Sequence, residues 1–269
     1  MISIQEMSFR YKRQQELFSS FSFRQENGSI AGLLGKNGAG KTTLLKLIAG
    51  LLAPKGGQLK INGYEPFERN PSFLESIYFV PEEFILPPVT ISCYVKATAP
   101  LYPDFDYEKM AQILKDFELA SQRNINKLSH GQRKKFLIAF ALSTNCKLLI
   151  LDEPTNGLDI PSKSLFRKVL IRSVTDEQLV LISTHQVKDV ETIIEKVLVL
   201  DEGKIILDKN MDEISQQWKF LAVDSLAVIE SPLYYERCPS GFKVMLAADR
   251  QESEVDLELL FNALVKEAI

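Results

Sequence analysis

The 269-residue sequence is poor in cysteine, and the few cysteines that it has suit neither a disulfide framework nor a metal site. Cys93, Cys146 and Cys238 are odd in number and far apart along the chain. Small secreted domains pair closely spaced cysteines, whereas proteins of reducing compartments keep their thiols free. We therefore expect free thiols and a reducing compartment.

The sequence also lacks an apolar run long enough to cross a membrane. A spanning helix needs about 20 apolar residues, whereas the best candidate, LIAFALSTNCKLLIL, is shorter and is interrupted by Ser143, Asn145 and Lys147. The N-terminal stretch MISIQEMSFRYKRQQ carries charges where a signal peptide would be apolar. We therefore expect a cytoplasmic protein, whatever membrane component it docks onto.

An excess of positive charge is missing as well. The formal net charge is -3, so no global basic field attracts nucleic acid, and we expect no nucleic-acid partner. Apolar residues make up 45% and charged residues 25% of the chain, which is ordinary for a globular protein. The length fits one large domain, or one domain with a small appendage.

Strand-like runs alternate with helical patterns over most of the chain. Continuous or alternating apolar residues predict strands, and spacing near 3.6 predicts helices. Such alternation is typical of an α/β fold with a mostly parallel sheet covered on both faces. The predicted strands are ISIQEMSF, LFSSFSF, SIAGLLG, QLKING, KLLILDEP, LVLIST, VLVLDEG and KIILD, and the predicted helices are TTLLKLIAGLL, PSKSLFRKVLIRSV, VKDVETIIE and an amphipathic SHGQRKKFLIAFALS, which Ser129 would cap.

Two segments interrupt this alternation. The segment from about residue 87 to residue 140 contains the helical patterns YVKATAPLY and YEKMAQILKDFEL. These patterns predict a helical insertion within a domain of residues 1–215. Residues 216–269 predict a small α+β appendage, with strands FLAVDSLAVIE and GFKVMLAAD and a closing helix VDLELLFNALVKEAI. About fifty residues is below the usual size of an independent domain.

Residues 35–42, GKNGAGKT, form the clearest functional motif, and we call them the glycine loop. They fit G-x-x-x-x-G-K-[ST] and stand between a predicted strand and a predicted helix, which is the context that this phosphate-binding motif requires. Glycines let successive N–H groups surround phosphate oxygens, and the helix N-terminus adds partial positive charge. Lys41 would neutralise the outer phosphates, and the Thr42 hydroxyl would bind Mg²⁺.

Asp152 and Glu153 follow the apolar run LLIL. A buried strand that ends in two acids places them at the sheet edge where open α/β proteins bind ligands. We expect Asp152 to hold Mg²⁺ through water and Glu153 to act as the general base for the attacking water.

Residues 128–132, LSHGQ, lie a short way before this strand and decide the family. With them the chain resembles the ATP-binding cassette family, the ATPase subunits of ABC transporters, whose signature is LSGGQ. Ser129, His130, Gly131 and Gln132 would form a second anion site at a helix N-terminus. In the family this signature segment closes on the ATP of a partner subunit.

The resemblance implies a P-loop NTPase cassette with a mostly parallel core sheet, an antiparallel β subdomain and a helical insertion. ATP and Mg²⁺ would be its cofactors. Tyr11 matches the aromatic residue that stacks on adenine, residues 156–159 (NGLD) match the D-loop that touches the opposite subunit, and His185 matches the switch histidine that senses the γ-phosphate. The residues expected to bind ATP in the first site are Tyr11, Gly35, Lys36, Asn37, Gly38, Ala39, Gly40, Lys41, Thr42 and Thr43.

Two positions depart from the family pattern. Glu82, in the segment FVPEEF that we call the lid (residues 79–84), stands where most members have Gln, and it could still be a Mg²⁺ ligand. His130 replaces the first signature Gly, and a backbone position needing positive φ would resist histidine. The lid, the LPPVTI that follows it and DLELLF near the C-terminus resemble the drug-efflux branch of bacterial ABC ATPases.

These features predict the ATPase subunit of an exporter, working as a homodimer or with a homologous cassette. It would drive a separate transmembrane permease subunit from the inner face of the cell membrane. The alternatives are a soluble ABC-type ATPase acting on nucleic acid or ribosomes and a non-hydrolysing regulatory cassette. The intact Lys41, Asp152, Glu153 and His185 argue against the second alternative, and the lack of an N-K-x-D motif argues against a GTPase.

Overall fold

The computed structural model describes residues 1–13, 15–26, 28–248 and 253–266. Within these residues lie twelve strands and eight α-helices. The strands are β1 (Ile2–Phe9), β2 (Phe18–Gln25), β3 (Ser29–Leu34), β4 (Gly56–Ile61), β5 (Ile77–Val80), β6 (Leu148–Asp152), β7 (Leu179–Thr184), β8 (Lys196–Asp201), β9 (Lys204–Asn210), β10 (Trp218–Val223), β11 (Tyr234–Cys238) and β12 (Gly241–Ala247). The helices are α1 (Lys41–Ile48), α2 (Pro71–Glu75), α3 (Ile91–Thr98), α4 (Tyr107–Asp116), α5 (His130–Ser143), α6 (Ile160–Ser173), α7 (Met211–Gln217) and α8 (Leu257–Val265).

The central sheet has six strands in the order β5-β6-β7-β3-β8-β9. All neighbouring pairs are parallel except β8 with β9. Every residue of β6 and β7 is buried, because helices cover both faces. The prediction of a mostly parallel sheet in an α/β fold is confirmed.

The register of this sheet brings three strand ends together. Asp152 at the end of β6 pairs with Ser183 of β7, and Leu34 at the end of β3 pairs with Thr184. The carboxyl ends of β3, β6 and β7 therefore share one edge, which is where parallel α/β sheets bind ligands.

An antiparallel sheet of order β2-β1-β4 forms the second layer. Its buried side chains, including Ile2, Met7 and Phe18, share a hydrophobic cluster with Leu44 and Leu45 of α1. The expected antiparallel β subdomain is thus present, and it packs on the helix that follows the glycine loop.

The helical insertion, expected at about 87–140, contains α3, α4 and most of α5. The prediction that α5 is amphipathic is wrong, since every residue from Phe136 to Ser143 is buried. Helices α4 and α6 and strand β5 all contact α5, so no side of its C-terminal half faces water. A helix enclosed in this way needs apolar residues all round rather than a single stripe.

Two other helix predictions are too long. TTLLKLIAGLL is helical only to Ile48, because Gly50 adopts a left-handed φ of 69° and ends the turn. VKDVETIIE forms a single 3-10 turn at Val187–Asp189. The rest of the segment is not helical and leads directly into β8. It nevertheless buries the side chains of Val190, Ile193 and Ile194.

In the appendage β10, β12 and β11 form a third, antiparallel sheet. The predicted strand FLAVDSLAVIE is wrong in its second half, since β10 ends at Val223 and a 3-10 turn follows at Leu226–Val228. β11 and α7 were not predicted, and the ends of two predicted elements, Asp249 and residues 267–269, lie outside the described residues. Trp218, Met245 and Leu260 join the hydrophobic cluster of the central sheet, so the appendage packs on the main body.

Candidate nucleotide-binding site

The glycine loop connects the end of β3 to the start of α1. Gly38 and Gly40 have φ values of 85° and 105°, in the left-handed region that side-chain-bearing residues rarely adopt. Gly40 is also the N-cap of α1, and a Cβ there would lie 3.0 Å from the Phe18 ring. Both glycines are therefore required by the backbone path that turns the loop into the helix.

The Lys41 side chain folds back over this loop. Its Nζ donates hydrogen bonds to the carbonyl oxygens of Gly35, at 2.7 Å, and Lys36, at 3.1 Å. Burial lowers the pKa of Lys41, while the negative charges of Glu153, Asp152 and Glu82 oppose that shift. Three carboxylates thus lie close enough to the same ammonium group to stabilise its charge.

A cavity of about 550 Å³ opens beside the glycine loop. It is lined by Tyr11, Gln15, Glu16, Leu17, Asn37, Gly38, Gly40, Lys41, Thr42, Thr43, Glu82 and Glu153. Gly35, Lys36 and Ala39 belong to the loop but are not among the described lining residues, and the same holds for Asp152 and His185. Seven of the ten residues predicted to bind ATP in the first site therefore surround one space that is large enough for a nucleotide.

The Thr42 hydroxyl donates to Asp152 Oδ2 at 2.9 Å, and Ser183 Oγ donates to Asp152 Oδ1. The described residues contain no group of three or more His, Cys, Asp or Glu side chains arranged to hold a metal. Mg²⁺ is commonly held by one or two protein oxygens together with phosphates and water. A hydroxyl next to a carboxylate at the cavity edge fits that preference, so Thr42 and Asp152 suit Mg²⁺.

Glu153 is only 4% exposed, and its backbone is left-handed with a φ of 46°. Its Oε1 accepts hydrogen bonds from the His185 backbone N–H at 3.1 Å and lies 2.8 Å from His185 Nδ1, while Oε2 accepts from Thr184 Oγ1 at 3.3 Å. The carboxylate is held by the last residue of β7 and by the residue that follows it. The predicted base and the predicted switch histidine therefore contact each other directly.

Glu82 also reaches the cavity, as expected for the lid. Its Oε1 accepts a hydrogen bond from Asn156 Nδ2 at 2.8 Å, and Asn156 Oδ1 accepts from Gln186 Nε2 at 3.3 Å. The lid, the D-loop and the segment after His185 are thus joined by side-chain hydrogen bonds. The sequence did not predict this connection.

Tyr11 also lines the cavity and is 37% exposed. Its hydroxyl lies 3.0 Å from Thr43 Oγ1, and its ring makes an edge-on contact with Phe9 at 5.0 Å between centroids. Both interactions orient the ring while leaving part of it open to the cavity, as an adenine-stacking role requires.

The signature segment forms the N-terminus of α5. Ser129 is the N-cap, with a reciprocal capping box to Gln132. His130 is the first helical residue and is not among the residues with positive φ, so the histidine causes no backbone strain. Its ring stacks on Phe84 of the lid at 5.4 Å, and a Cβ at Gly157 of the D-loop would lie 3.0 Å from the same ring.

Several side chains that complete this site were not predicted from the sequence. Lys134 is fully buried, and its Nζ donates to the Glu153 carbonyl oxygen at 3.0 Å. Ser183 and Thr184 bind the two acids from the neighbouring strand. Ser183 and Thr184 directly precede His185 in the sequence, and this position was a signal that could have identified them. The pairing of β6 with β7 puts Ser183 beside Asp152.

Fold and site together define a P-loop nucleotide-binding protein, with a glycine loop, paired acids and a histidine at one sheet edge. The ABC transporter family model matches residues 18–156. The chain belongs to this family and is an ATP-binding subunit of an ABC transporter, a family whose ATPases bind and hydrolyse ATP for transport.

Two curated relatives and one solved structure illustrate the similarity. The molybdate import ATP-binding protein MolC of Haemophilus influenzae is 32% identical over 75% of this chain and 79% of its own length. The SkfA peptide export ATP-binding protein SkfE of Bacillus subtilis is 30% identical over 81% of this chain and 92% of its own. The structure of cbiO1 from Clostridium perfringens, part of the ABC transporter complex cbiONQ, has a TM-score of 0.65 with 26% identity, over 79% of this chain and 89% of its own.

These names bear on two expectations. One relative is an import protein and the other an export protein, so family membership carries no transport direction. Neither name refers to nucleic acid or ribosomes, so that alternative is not favoured. Among the described residues, moreover, no helix has the length and apolar character that a bilayer span requires.

Proposed function

We propose that this chain is the ATP-hydrolysing subunit of an ABC exporter, in which two cassettes share ATP between them and drive a separate transmembrane permease. The observation that carries the shared arrangement is the position of the signature segment. None of the described residues lining the glycine-loop cavity comes from residues 128–132. An exposed, capped helix N-terminus that does not line its own phosphate cavity is suited to complete the cavity of a second chain.

Within one half of this shared site, each residue has a separate task. Lys41 and the N–H groups of the glycine loop would hold the phosphates of ATP. Thr42, Asp152 and Glu82 would hold Mg²⁺, which when bound neutralises charge on the β- and γ-phosphates. Tyr11 would stack on the adenine.

Glu153 would take the proton of the attacking water. Its nearly complete burial and its three hydrogen bonds hold one carboxylate orientation. A proton on His185 Nδ1 completes the 2.8 Å contact, leaving the far side of the imidazole to sense the γ-phosphate. Proton transfer to a positioned carboxylate of this kind contributes roughly 10²–10⁴-fold in rate.

The exporter assignment rests on sequence features of the lid, of the segment that follows it and of the C-terminal helix. The lid and the LPPVTI after it resemble the drug-efflux branch of bacterial ABC ATPases. The third such feature, the DLELLF segment, begins at Asp256, the N-cap of α8, and continues into that helix, where Leu257 and Leu260 are buried. We assign residues 1–215 to the ATPase domain and 216–269 to an accessory segment.

The permease would dock on a groove of about 730 Å³ beside the helical insertion, at the inner face of the membrane. Leu51, Leu74, Phe79 and Leu101 contribute apolar side chains to it. Leu101 is 64% exposed, so Leu101→Asp should leave the fold and basal ATP hydrolysis unchanged. If the groove is the docking site, this variant should fail to co-purify with the permease that wild-type protein retains.

Dimer formation tests the central proposal. Glu153→Gln with Mg²⁺ and ATP should form an ATP-dependent dimer in light scattering, because binding persists while hydrolysis is blocked. Adding Ser129→Arg in that background should abolish the dimer but keep monomer ATP binding. A strictly monomeric Glu153→Gln protein, even with its permease, would refute the shared site. Loss of monomer ATP binding in the Ser129 variant would mean that the signature segment acts on its own chain.

A further inference from the structure

Lys134 lies on α5, near the signature segment, and is completely buried. An ammonium group in such a position is costly unless it is hydrogen-bonded and its charge is compensated. Burial lowers the pKa of Lys134, while Glu82, Asp152 and Glu153 oppose that shift. The same three carboxylates act on Lys41, so one cation faces the cavity and the other supports the acids from inside the protein.

The main contact of Lys134 is with the backbone of Glu153. Its Nζ donates to the Glu153 carbonyl oxygen at 3.0 Å, and the Glu153 N–H donates to the Ser183 carbonyl oxygen at 3.1 Å. Glu153 has a φ of 46°, a conformation that costs energy for a residue with a Cβ. Such a conformation persists only when its surroundings hold it. Here Lys134 holds it from α5, Ser183 holds it from β7, and the Asn156 N–H of the D-loop donates to the same carbonyl oxygen as Lys134, at 3.2 Å.

Lys134 also contacts the lid. Its Nζ lies 5.8 Å from the centroid of the Phe84 ring, and His130 stacks on the same ring. His130 and Lys134 are four residues apart on α5 and therefore lie on one helix face. The buried ammonium thus touches the lid and the backbone of Glu153 from the helix that begins with the signature segment.

We propose that Lys134 is a positioning residue for ATP hydrolysis, acting by holding the Glu153 backbone in its left-handed conformation from the signature helix. The inference rests on the proposed role of Glu153 as the base. Lys134 is not among the described residues lining the cavity, so it acts through Glu153 rather than on ATP. Movement of α5 when the signature segment meets a second chain would be transmitted through this contact.

The test replaces Lys134 by Met, which keeps an unbranched apolar side chain and removes the ammonium. Because small misplacements of a reacting group can cost about 100-fold, we expect kcat to fall by about that factor. KM for ATP and the Kd for ATP without Mg²⁺ should stay within about threefold, since no phosphate contact is lost. Lys135→Met is the matched control, because Lys135 is only partly buried and faces Phe117; it should hydrolyse ATP like wild type.

A double-mutant cycle separates positioning from general structural damage. In the Glu153→Gln background, Lys134→Met should change the residual single-turnover rate by no more than about twofold, because its effect passes through the carboxylate already removed. An equal loss of rate in both backgrounds would overturn the proposal. If Lys134→Met does not fold, as judged by thermal unfolding, Lys134→Gln enters the same cycle, since it keeps an N–H donor without the charge.

The outcomes also distinguish this inference from the proposed function. If Glu153→Gln hydrolyses ATP like wild type, Glu153 is not the base and both fail. If Glu153→Gln is slow while Lys134→Met retains wild-type kcat, the proposed function stands and the role of Lys134 is refuted.

Discussion

The substitution Glu153→Gln isolates the chemical step, because glutamine can keep the contacts of the carboxylate while losing its basicity. Its carbonyl oxygen can accept from the His185 N–H and from Nδ1, and its NH₂ can donate to Thr184 Oγ1, whose hydroxyl can rotate. Glu153 is 4% exposed and glutamine has the same shape, so packing is unchanged.

The expected size of each effect follows from these contacts. The substitution replaces charge-assisted hydrogen bonds by neutral ones. This change should lower the free energy of unfolding by no more than about 2 kcal/mol. Removing one of three neighbouring carboxylates reduces their mutual repulsion, but it also removes a charge that compensates Lys41 and Lys134, so these two effects on stability oppose each other. The missing base should slow hydrolysis by about 10²–10⁴-fold, which corresponds to about 3–5 kcal/mol in the barrier.

The assay is phosphate release under saturating Mg²⁺ and ATP, with ATP binding and thermal unfolding measured on the same preparation. Glu83→Gln is the matched control, since it removes the same charge from an exposed lid position next to Glu82. It should leave turnover within about twofold of wild type, as is usual for exposed substitutions.

Two results would refute this reasoning. Wild-type turnover in Glu153→Gln would show that another group accepts the proton. If the variant lost both ATP binding and turnover, the carboxylate would be needed to keep the cavity intact rather than to accept the proton.

Further predictions concern the lid, the adenine wall and the thiols. Glu82→Gln should shift the Mg²⁺ dependence of hydrolysis to higher concentration, because one charged oxygen ligand is lost, and an unchanged metal titration would exclude that role. Tyr11→Ala should weaken ATP binding by about 1–3 kcal/mol through loss of stacking, whereas Tyr11→Phe should bind nearly normally; equal binding by both variants would mean that the ring does not contact the base. Burial raises the pKa of the Cys146 thiol from 9.0 to about 12, so the unfolded chain loses this proton at lower pH and the free energy of unfolding should decrease as pH rises between those values. In the native protein, exposed Cys93 should react with a maleimide while Cys146 stays protected, and rapid labelling of both would contradict the observed burial.

Expectations from local sequence patterns succeeded where the cause is itself local. Gly38 and Gly40 were recognisable because a tight phosphate loop needs left-handed backbone, and both residues adopt it. The continuous apolar run before Asp152 indicated a strand buried on both faces, which is what β6 is. Ser129 was recognisable as a helix cap from its own side-chain chemistry.

The failures have long-range causes. Helix α5 was expected to have a polar face, but α4, α6 and β5 enclose it from distant parts of the sequence. VKDVETIIE has helical spacing, yet its backbone forms turns that lead into β8. Its apolar side chains are buried although they do not lie on a helix. β11 is only weakly amphipathic, because none of its residues is fully buried, and its sequence therefore gave little indication of a strand. Its pairing with β12 decides its conformation.

The sequence by itself determined the family, the order of the site residues and the type of chemistry, because glycine conformation, helix capping and strand burial depend on neighbours along the chain. Only the tertiary structure decided how those residues are held. Glu82 accepts a hydrogen bond from Asn156, His130 stacks on Phe84, and the buried Lys134 donates to the Glu153 carbonyl oxygen. The physical reason is that a buried charge or polar group is stabilised by whichever segments pack around it, and strand pairing and helix packing bring those segments together from separate regions of the chain.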